Sequence, residues 1–275
     1  MKIFNLLLLF RSDVAFGTYF NYLIGILLSG NRLQNSHFFE AFLMSGISFN
    51  FIYSYNQYSD WKIDKINKPD RVIPSGKVTP KTALIYSSIL FIISIIYPVF
   101  ISRTTEALIV FYSFTFLGFI YSFRRIYLKK NPIIASFLTS TGLFLSVYAG
   151  YANNTNITPN KEFLIALFFY LTSIIPFKDI EDYKGDISHK TGNFMSFITG
   201  KRLSIAVTTA LLLLIIYSVI AFSDLFTKCF FISFPLVSIF FIAINQKSHD
   251  KIYKWLTRTM VFHIFVYFSY LYYIV

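Results

Sequence analysis

The sequence predicts an all-α polytopic membrane protein, with nine transmembrane helices around a central cavity and two aspartate-rich cytosolic segments. Three observations predict it: an apolar composition, nine apolar stretches of spanning length, and a one-sided distribution of basic charge. Of the 275 residues, 55% are hydrophobic and only 14% charged, against about 25% charged in an average soluble domain. Mean hydropathy is +0.58. A hydrocarbon core about 30 Å thick takes roughly 20 apolar residues per helix, and short polar loops separate stretches of that order along the whole chain. Residues 1–275 therefore read as a single integral membrane domain.

Taken in order, Met1-Lys2 and the apolar residues 3–10 have the outline of a signal peptide, but Arg11-Ser12-Asp13 stands where a small-residue cleavage site is required. No cleavage is expected, and the run reads as a surface-lying segment leading into the first span, 15–29. The others follow at 37–56, 83–102, 105–122, 132–151, 162–177, 203–223, 227–244 and 256–274. Pro176, at the end of the sixth, is expected to free backbone carbonyls and bend that helix toward the cavity. Pro235 is expected to act likewise in the eighth, without implied chemistry. A single cysteine, Cys229, excludes an intramolecular disulfide and any multi-cysteine metal site, and is expected to pack within the eighth span. His263 lies in the ninth. An ionisable group there invites a functional reading, but with no carboxylate nearby in sequence it reads as a neutral imidazole bonded to a neighbouring helix.

The net charge of +12 does not point to nucleic acid, because the basic residues flank the spans instead of forming a soluble basic domain. With the N-terminus in the cytosol, all of the 25 Lys and Arg residues except Arg32, Arg103, Lys161 and Lys228 fall on the cytosolic side. The positive-inside rule then sets the N-terminus inside and, with nine spans, the C-terminus outside. The expected location is the cell's inner membrane.

The acids are fewer and more informative. There are 13 Asp and Glu residues, and Asp60, Asp64, Asp70, Asp179, Glu181, Asp182 and Asp186 crowd into residues 57–81 and 178–202, after the second and sixth spans. Asn56, Asp60 and Asp64 are spaced i, i+4, i+8, and Asp179, Asp182 and Asp186 i, i+3, i+7, so on helices each set shares one face. Stacked carboxylates repel unless a cation lies between them. Mg²⁺ meets that need, being held by one or two carboxylates plus phosphate oxygens and water. Two facing clusters would grip a diphosphate, with Lys68, Arg71, Arg124, Arg125, Lys178 and Lys184 placed to bond its oxygens. Asp70 and Glu181 lie off this pattern. Flanking charges are commonly only solvated, a reading that suits any single lysine better than it suits these aspartates.

These residues resemble the UbiA superfamily of intramembrane prenyltransferases. Asn56-Gln57-Tyr58-Ser59-Asp60-Trp61-Lys62-Ile63-Asp64 looks like the family's N-D-x-x-D-x-x-x-D, with Gln57 where Asp is common. Asn67-Lys68-Pro69-Asp70-Arg71-Val72-Ile73-Pro74-Ser75-Gly76 is similar to N-R-P-x-R-P-I-P-S-G, and Asp179, Asp182 and Asp186 match D-x-x-D-x-x-x-D. Tyr121-Ser122-Phe123-Arg124-Arg125 resembles the basic segment after the family's fourth helix. The resemblance runs the length of the chain and looks most like the branch that makes digeranylgeranylglyceryl phosphate. Val72, in place of proline, and Thr191-Gly192-Asn193-Phe194-Met195, where T-L-P is common, depart from it.

The resemblance implies Mg²⁺-dependent transfer of a prenyl group from an allylic prenyl diphosphate to a lipophilic acceptor within membrane lipid, geranylgeranylglyceryl phosphate being one such acceptor. Asp60, Asp64, Asp179 and Asp182 are the expected catalytic residues, and Asn56, Asp60, Asp64, Asp179, Asp182 and Asp186 the expected metal ligands. Lys68, Arg71, Lys178, Arg124 and Arg125 are the expected diphosphate contacts. Alternatives are an aromatic or quinone-precursor acceptor, and acceptor-free terpene cyclisation. A transporter would carry its acids near the bilayer midplane, not at one surface. The 34 Phe and 20 Tyr suit a chamber that shields an allylic cation.

Overall fold

The computed structural model describes residues 6, 8–126, 128–154, 161–177, 186, 188, 200–244 and 249–274, and among the described residues there is no strand. Every predicted apolar stretch falls in a helix, 3₁₀ and π turns included, to within two residues at its end. These are α1 (Ser12–Leu28), then α2 (Asn35–Leu43), a π-helical segment (Met44–Phe49) and α3 (Asn50–Asn67) in unbroken succession, α4 (Pro80–Ile101), α5 (Thr105–Ser122) and α6 (Pro132–Ala152). They continue with α7 (Lys161–Ile174), α8 (Gly200–Ala221), α9 (Leu225–Ile244) and α10 (His249–Ile274). The predicted second span is thus part of a longer rod, which keeps its helical hydrogen bonds out to Asn67 and carries the first acidic motif on its far end.

Five of these helices, α4, α5, α6, α8 and α9, are long and apolar enough to cross a membrane. Only 28% to 33% of each apolar window is buried within the protein, so most of these side chains point outward. Phe100 and Ile220 are about four-fifths exposed. Lipid solvates such a surface where water would not.

Local chemistry sets where the helices begin. Thr79 accepts the Thr82 backbone N–H at 3.2 Å ahead of Pro80, and Thr104 accepts that of Ala107 at 3.0 Å. The Asn131 side chain takes the N–H groups of Ile133 and Ile134 ahead of Pro132. Each cap satisfies orphan donors of a first turn, and proline at the first helical position has no donor to lose. At the other end of α7, the backbone tightens into a 3₁₀ turn over Ile175–Phe177, around Pro176.

The residues group into two compact units. The first comprises 1–129, 145–157 and 270–275, the second 130–144 and 158–269. In the first, α1 meets the C-terminal part of α6 backbone to backbone. A Cβ on Gly25 would lie 2.0 Å from the Val147 carbonyl oxygen, and one on Gly150 would lie 1.9 Å from that of Tyr22. Asn21 donates to Ser146 Oγ at 2.9 Å beside this contact. Small residues that admit such an approach are the usual means of packing helices in lipid. Gly150→Ala is therefore expected to destabilise the protein by about 1–3 kcal/mol through overpacking, read as a lower melting temperature in detergent. Gly142→Ala, where the added methyl meets nothing within 4 Å, should be neutral or mildly stabilising.

The same unit holds a buried acid. Glu40, 3% exposed, pairs with Arg103 and accepts from Tyr22 Oη at 2.7 Å and Asn153 Nδ2 at 3.2 Å. Arg103 also donates to Asn154 Oδ1 at 2.8 Å, and its backbone N–H donates to Asn153 Oδ1 at 2.7 Å. The polar knot joins α1, α2, the α4–α5 turn and the end of α6. The expected surface-lying N-terminal segment is in part a packing element: Leu9 is fully buried with Ile73, Val78 and Ala83, against Tyr58 and Trp61.

The second unit is cored by aromatic rings from α7, α9 and α10. Phe163 lies 5.2 Å from Phe231 and 5.5 Å from Tyr267, and Tyr170 lies 4.5 Å from Phe234. His263 bonds the Thr259 carbonyl of its own helix at 2.8 Å with its ring edge-on to Phe234. The expected partner on a neighbouring helix is therefore replaced by one a turn back on α10. Pro235 is buried within α9. Cys229 is exposed instead of packed, so its side chain belongs to the outward surface of α9.

Candidate active site at the first aspartate motif

The helical rod continues through Asn56, Asp60 and Asp64, so the i, i+4, i+8 spacing does place the three on one face. Both carboxylates are buried, Asp60 at 8% and Asp64 at 5% exposure, which an unpaired charge would not tolerate. Each has a cation. Arg71 Nη1 lies 2.5 Å from Asp64 Oδ2, and Lys129 Nζ pairs with Asp60 Oδ1.

The loop after α3 makes the first pairing possible. Lys68 ends the helix in a non-helical conformation with its N–H still bonded to the Asp64 carbonyl at 2.8 Å. The chain then coils through short turns, Arg71 N–H to Lys68 O, Ser75 N–H to Arg71 O, and Gly76 N–H to Ile73 O. Gly76 sits at φ +79°, where a side chain would be strained. Burial of Ile73 and Val78 against Leu9 pins the loop, and Arg71 reaches back over one face of Tyr53, 5.9 Å from the ring centroid. Arg11 also lies over that ring at 5.4 Å and donates to the phenol at 3.1 Å.

A second brace comes from the end of α5. Asn56 Nδ2 donates to Ser122 Oγ at 2.9 Å and Ser59 Oγ donates to the Ser122 carbonyl at 2.7 Å. Arg124 donates to the Ser59 carbonyl at 3.1 Å and stacks over Tyr58. With its amide nitrogen so held, Asn56 keeps Oδ1, the atom a hard cation takes, for other use. Gln57, at the position where the family commonly has Asp, turns elsewhere: it is buried and donates to the Leu9 carbonyl at 3.1 Å. Arg125 and Asp70 are exposed, Lys68 partly buried.

Burial pushes the Asp64 carboxyl above its ordinary value; the Arg71 guanidinium opposes this, the Asp60 charge adds to it, and Lys68 opposes it more weakly. Carboxylate and amide oxygens are the donors that Mg²⁺ prefers, so Asn56, Asp60 and Asp64 fit that ion chemically. A divalent ion needs the deprotonated form, so its affinity should fall with pH sooner than ordinary carboxylates dictate.

Among the described residues no group of three or more His, Cys, Asp or Glu side chains converges. Lys178, Asp179 and Asp182 of the second motif lie outside the described residues, as do Glu181 and Lys184, while Asp186 is helical and partly buried. Two residues at the first motif were read in the sequence only as topology charges: Lys129 and Arg11. Only the proximity of Lys129 to other basic residues hinted at it, and nothing in spacing linked it to Asp60.

Residues 18–268 match the model of the UbiA prenyltransferase family. The digeranylgeranylglyceryl phosphate synthase of Methanothrix thermoacetophila is 36% identical over 199 residues, covering 70% of this chain and 70% of the relative. That of Saccharolobus solfataricus is 32% identical over 202 residues, 71% of this chain and 70% of the relative. In fold, the chain is similar to a UbiA homolog from Archaeoglobus fulgidus solved with GPP and Mg²⁺ (TM-score 0.75, 15% identity, 96% of this chain and 99% of that one).

Proposed function

The chain belongs to the UbiA prenyltransferase family, and we propose that this membrane prenyltransferase uses Mg²⁺ to transfer a prenyl group from its allylic diphosphate to a glyceryl phosphate lipid, geranylgeranylglyceryl phosphate first among candidates. The observation that carries the metal-dependent part is the pair of buried carboxylates one turn apart, each matched by a cation. The acceptor class is supported by the relatives that share about a third of their aligned residues and are named for that product.

In this reading Asn56, Asp60 and Asp64 form one ligand set and Asp179, Asp182 and Asp186 the other, the catalytic weight falling on Asp60, Asp64, Asp179 and Asp182. Bound Mg²⁺ supplies positive charge against the diphosphate as the allylic bond ionises. The chain's own groups do the rest. Arg71 presents a planar fork and Lys68 a point charge to the phosphate oxygens, joined by Lys178, Arg124 and Arg125. The Ser122 and Arg124 bonds hold α3 in register while charge builds. Apolar helices keep water from the cation. The topology that fits is nine spans in one domain, N-terminus inside and C-terminus outside, with the site facing the cytosol of an inner membrane.

The test is purified protein with a labelled prenyl diphosphate, Mg²⁺ and a panel of acceptors. A prenylated glyceryl ether phosphate is the expected product. A prenylated aromatic would replace the acceptor, a cyclic hydrocarbon or alcohol made without acceptor would replace transfer by cyclisation, and no diphosphate release with any chain length would refute the reading.

A further inference from the structure

We propose that Lys129 is a resident counter-ion that holds the place of the metal at Asp60, so that Mg²⁺ must displace it, and that the displaced ammonium then makes metal and diphosphate bind cooperatively. The inference rests on the reading of Asp60 as a metal ligand.

Lys129 lies in the short 3₁₀ turn Leu128–Lys130, between α5 and α6. Its ammonium reaches Asp60 Oδ1, and the side chains of both residues are only 12% exposed. Lys62, the base nearest to Asp60 in sequence, is exposed and lies over the Trp61 ring instead. A pair so shielded from water is a strong local commitment. Removing either charge takes from the other its counter-charge in a largely water-free setting.

A magnesium ion approaching the carboxylate oxygen that Lys129 holds meets a like charge at contact distance, and the two cations repel. Binding of the metal alone must therefore free the Lys129 ammonium from Asp60 in a confined site next to a dication, which is unfavourable. A diphosphate arriving with the metal changes the sign, because its oxygens accept the released ammonium in a charge-assisted bond. The metal is then held weakly by the empty enzyme and firmly by the loaded one. Arg71 stands in the same relation to Asp64 at 2.5 Å, but lysine is the better displaceable ion: a flexible stem carries a point charge that can swing between acceptors, where a guanidinium fork is fixed in plane.

The test is calorimetric titration of the purified, lipid-free enzyme with Mg²⁺ alone and then with Mg²⁺ in the presence of inorganic pyrophosphate, for wild type, Lys129→Met, Lys129→Arg and Lys130→Met. With Lys129→Met, Mg²⁺ alone should bind about 5-fold tighter or more, the lower end of ordinary coupling between sites, while pyrophosphate should enhance metal binding less than in wild type. The metal-free variant should melt lower, with Mg²⁺ raising its melting temperature by more than it raises that of wild type. Lys129→Arg should return both readings toward wild type. Lys130 is the exposed neighbour, so an equal gain from Lys130→Met would reduce the effect to general charge and overturn the proposal. Mg²⁺ binding to Lys129→Met no tighter than to wild type would overturn it too. Wild-type enzyme that binds no Mg²⁺ with or without pyrophosphate would instead defeat the reading of Asp60 as a ligand, and this inference with it.

Discussion

Asp60→Ala and Asp64→Ala should each lower kcat for prenyl transfer by at least about 10²–10³-fold, the scale on which a preorganised electrostatic group acts. Both carboxylates are buried on one helix face and each faces a cation, so deletion removes a proposed metal ligand and takes from that cation its carboxylate in one step. The measurement is single-turnover release of labelled diphosphate by enzyme whose folding is verified by its melting transition. Asp70→Ala is the natural comparison. Asp70 lies in the same loop, exposed, and forms no ion pair among the described residues, so its loss should change kcat no more than a few-fold, within what a surface substitution does. A fall of equal size for Asp70 would mean that the loop, and not the carboxylate array, governs the rate.

The second large effect lies at the other end of the same rod. Arg103→Met leaves Glu40 buried with Tyr22 and Asn153 as its donors among the described residues, and should destabilise the protein by on the order of 2–3 kcal/mol. A broken buried pair costs more when both charges are shielded, but the Arg103 side chain is 42% exposed and part of its attraction is already screened. Glu40→Gln should be milder than Arg103→Met, since the amide oxygen still accepts from Tyr22 and Arg103, and the charge left without its counter-ion is that of Arg103, whose side chain is 42% exposed to solvent. Thermal melting of the variants in detergent orders them. Asp60 follows Glu40 by twenty residues along the rod, roughly 30 Å at 1.5 Å per residue, so in Glu40→Gln the KM for the diphosphate should stay near that of wild type.

Sequence alone carried the apolar helices, five of which are long and apolar enough to cross a membrane, because lipid demands the same thing of every residue that faces it. The one-faced array of Asn56, Asp60 and Asp64 was legible for an equally local reason, the fixed rotation per residue of a helix. Other features depend on what meets across the chain. Nothing near Asp60 in sequence marks Lys129 as its partner, and Glu40 and Arg103 look like two unrelated flanking charges until α2 and the α4–α5 turn converge. Gln57 reads as a conservative departure from an aspartate, yet its bond to Leu9 gives it a packing role that only the position of the N-terminal segment reveals. Cys229 and His263 went astray in the same way. Whether a side chain in an apolar helix faces protein or lipid, and whether it bonds forward or to its own helix, is decided by neighbours that periodicity does not name.

The polar knot around Glu40 also implies an order of events during synthesis. Tyr22 precedes Glu40 in the chain, but Arg103 emerges only after α4, and Asn153 only at the end of α6. A nascent chain that has released its second helix to the bilayer therefore carries an acid whose countercharge has yet to be translated. That helix is expected to rest shallowly, with the carboxyl at the headgroup level, until the hairpin of α4 and α5 delivers the arginine, and the glycine crossing of α1 with α6 then closes over a completed ion pair.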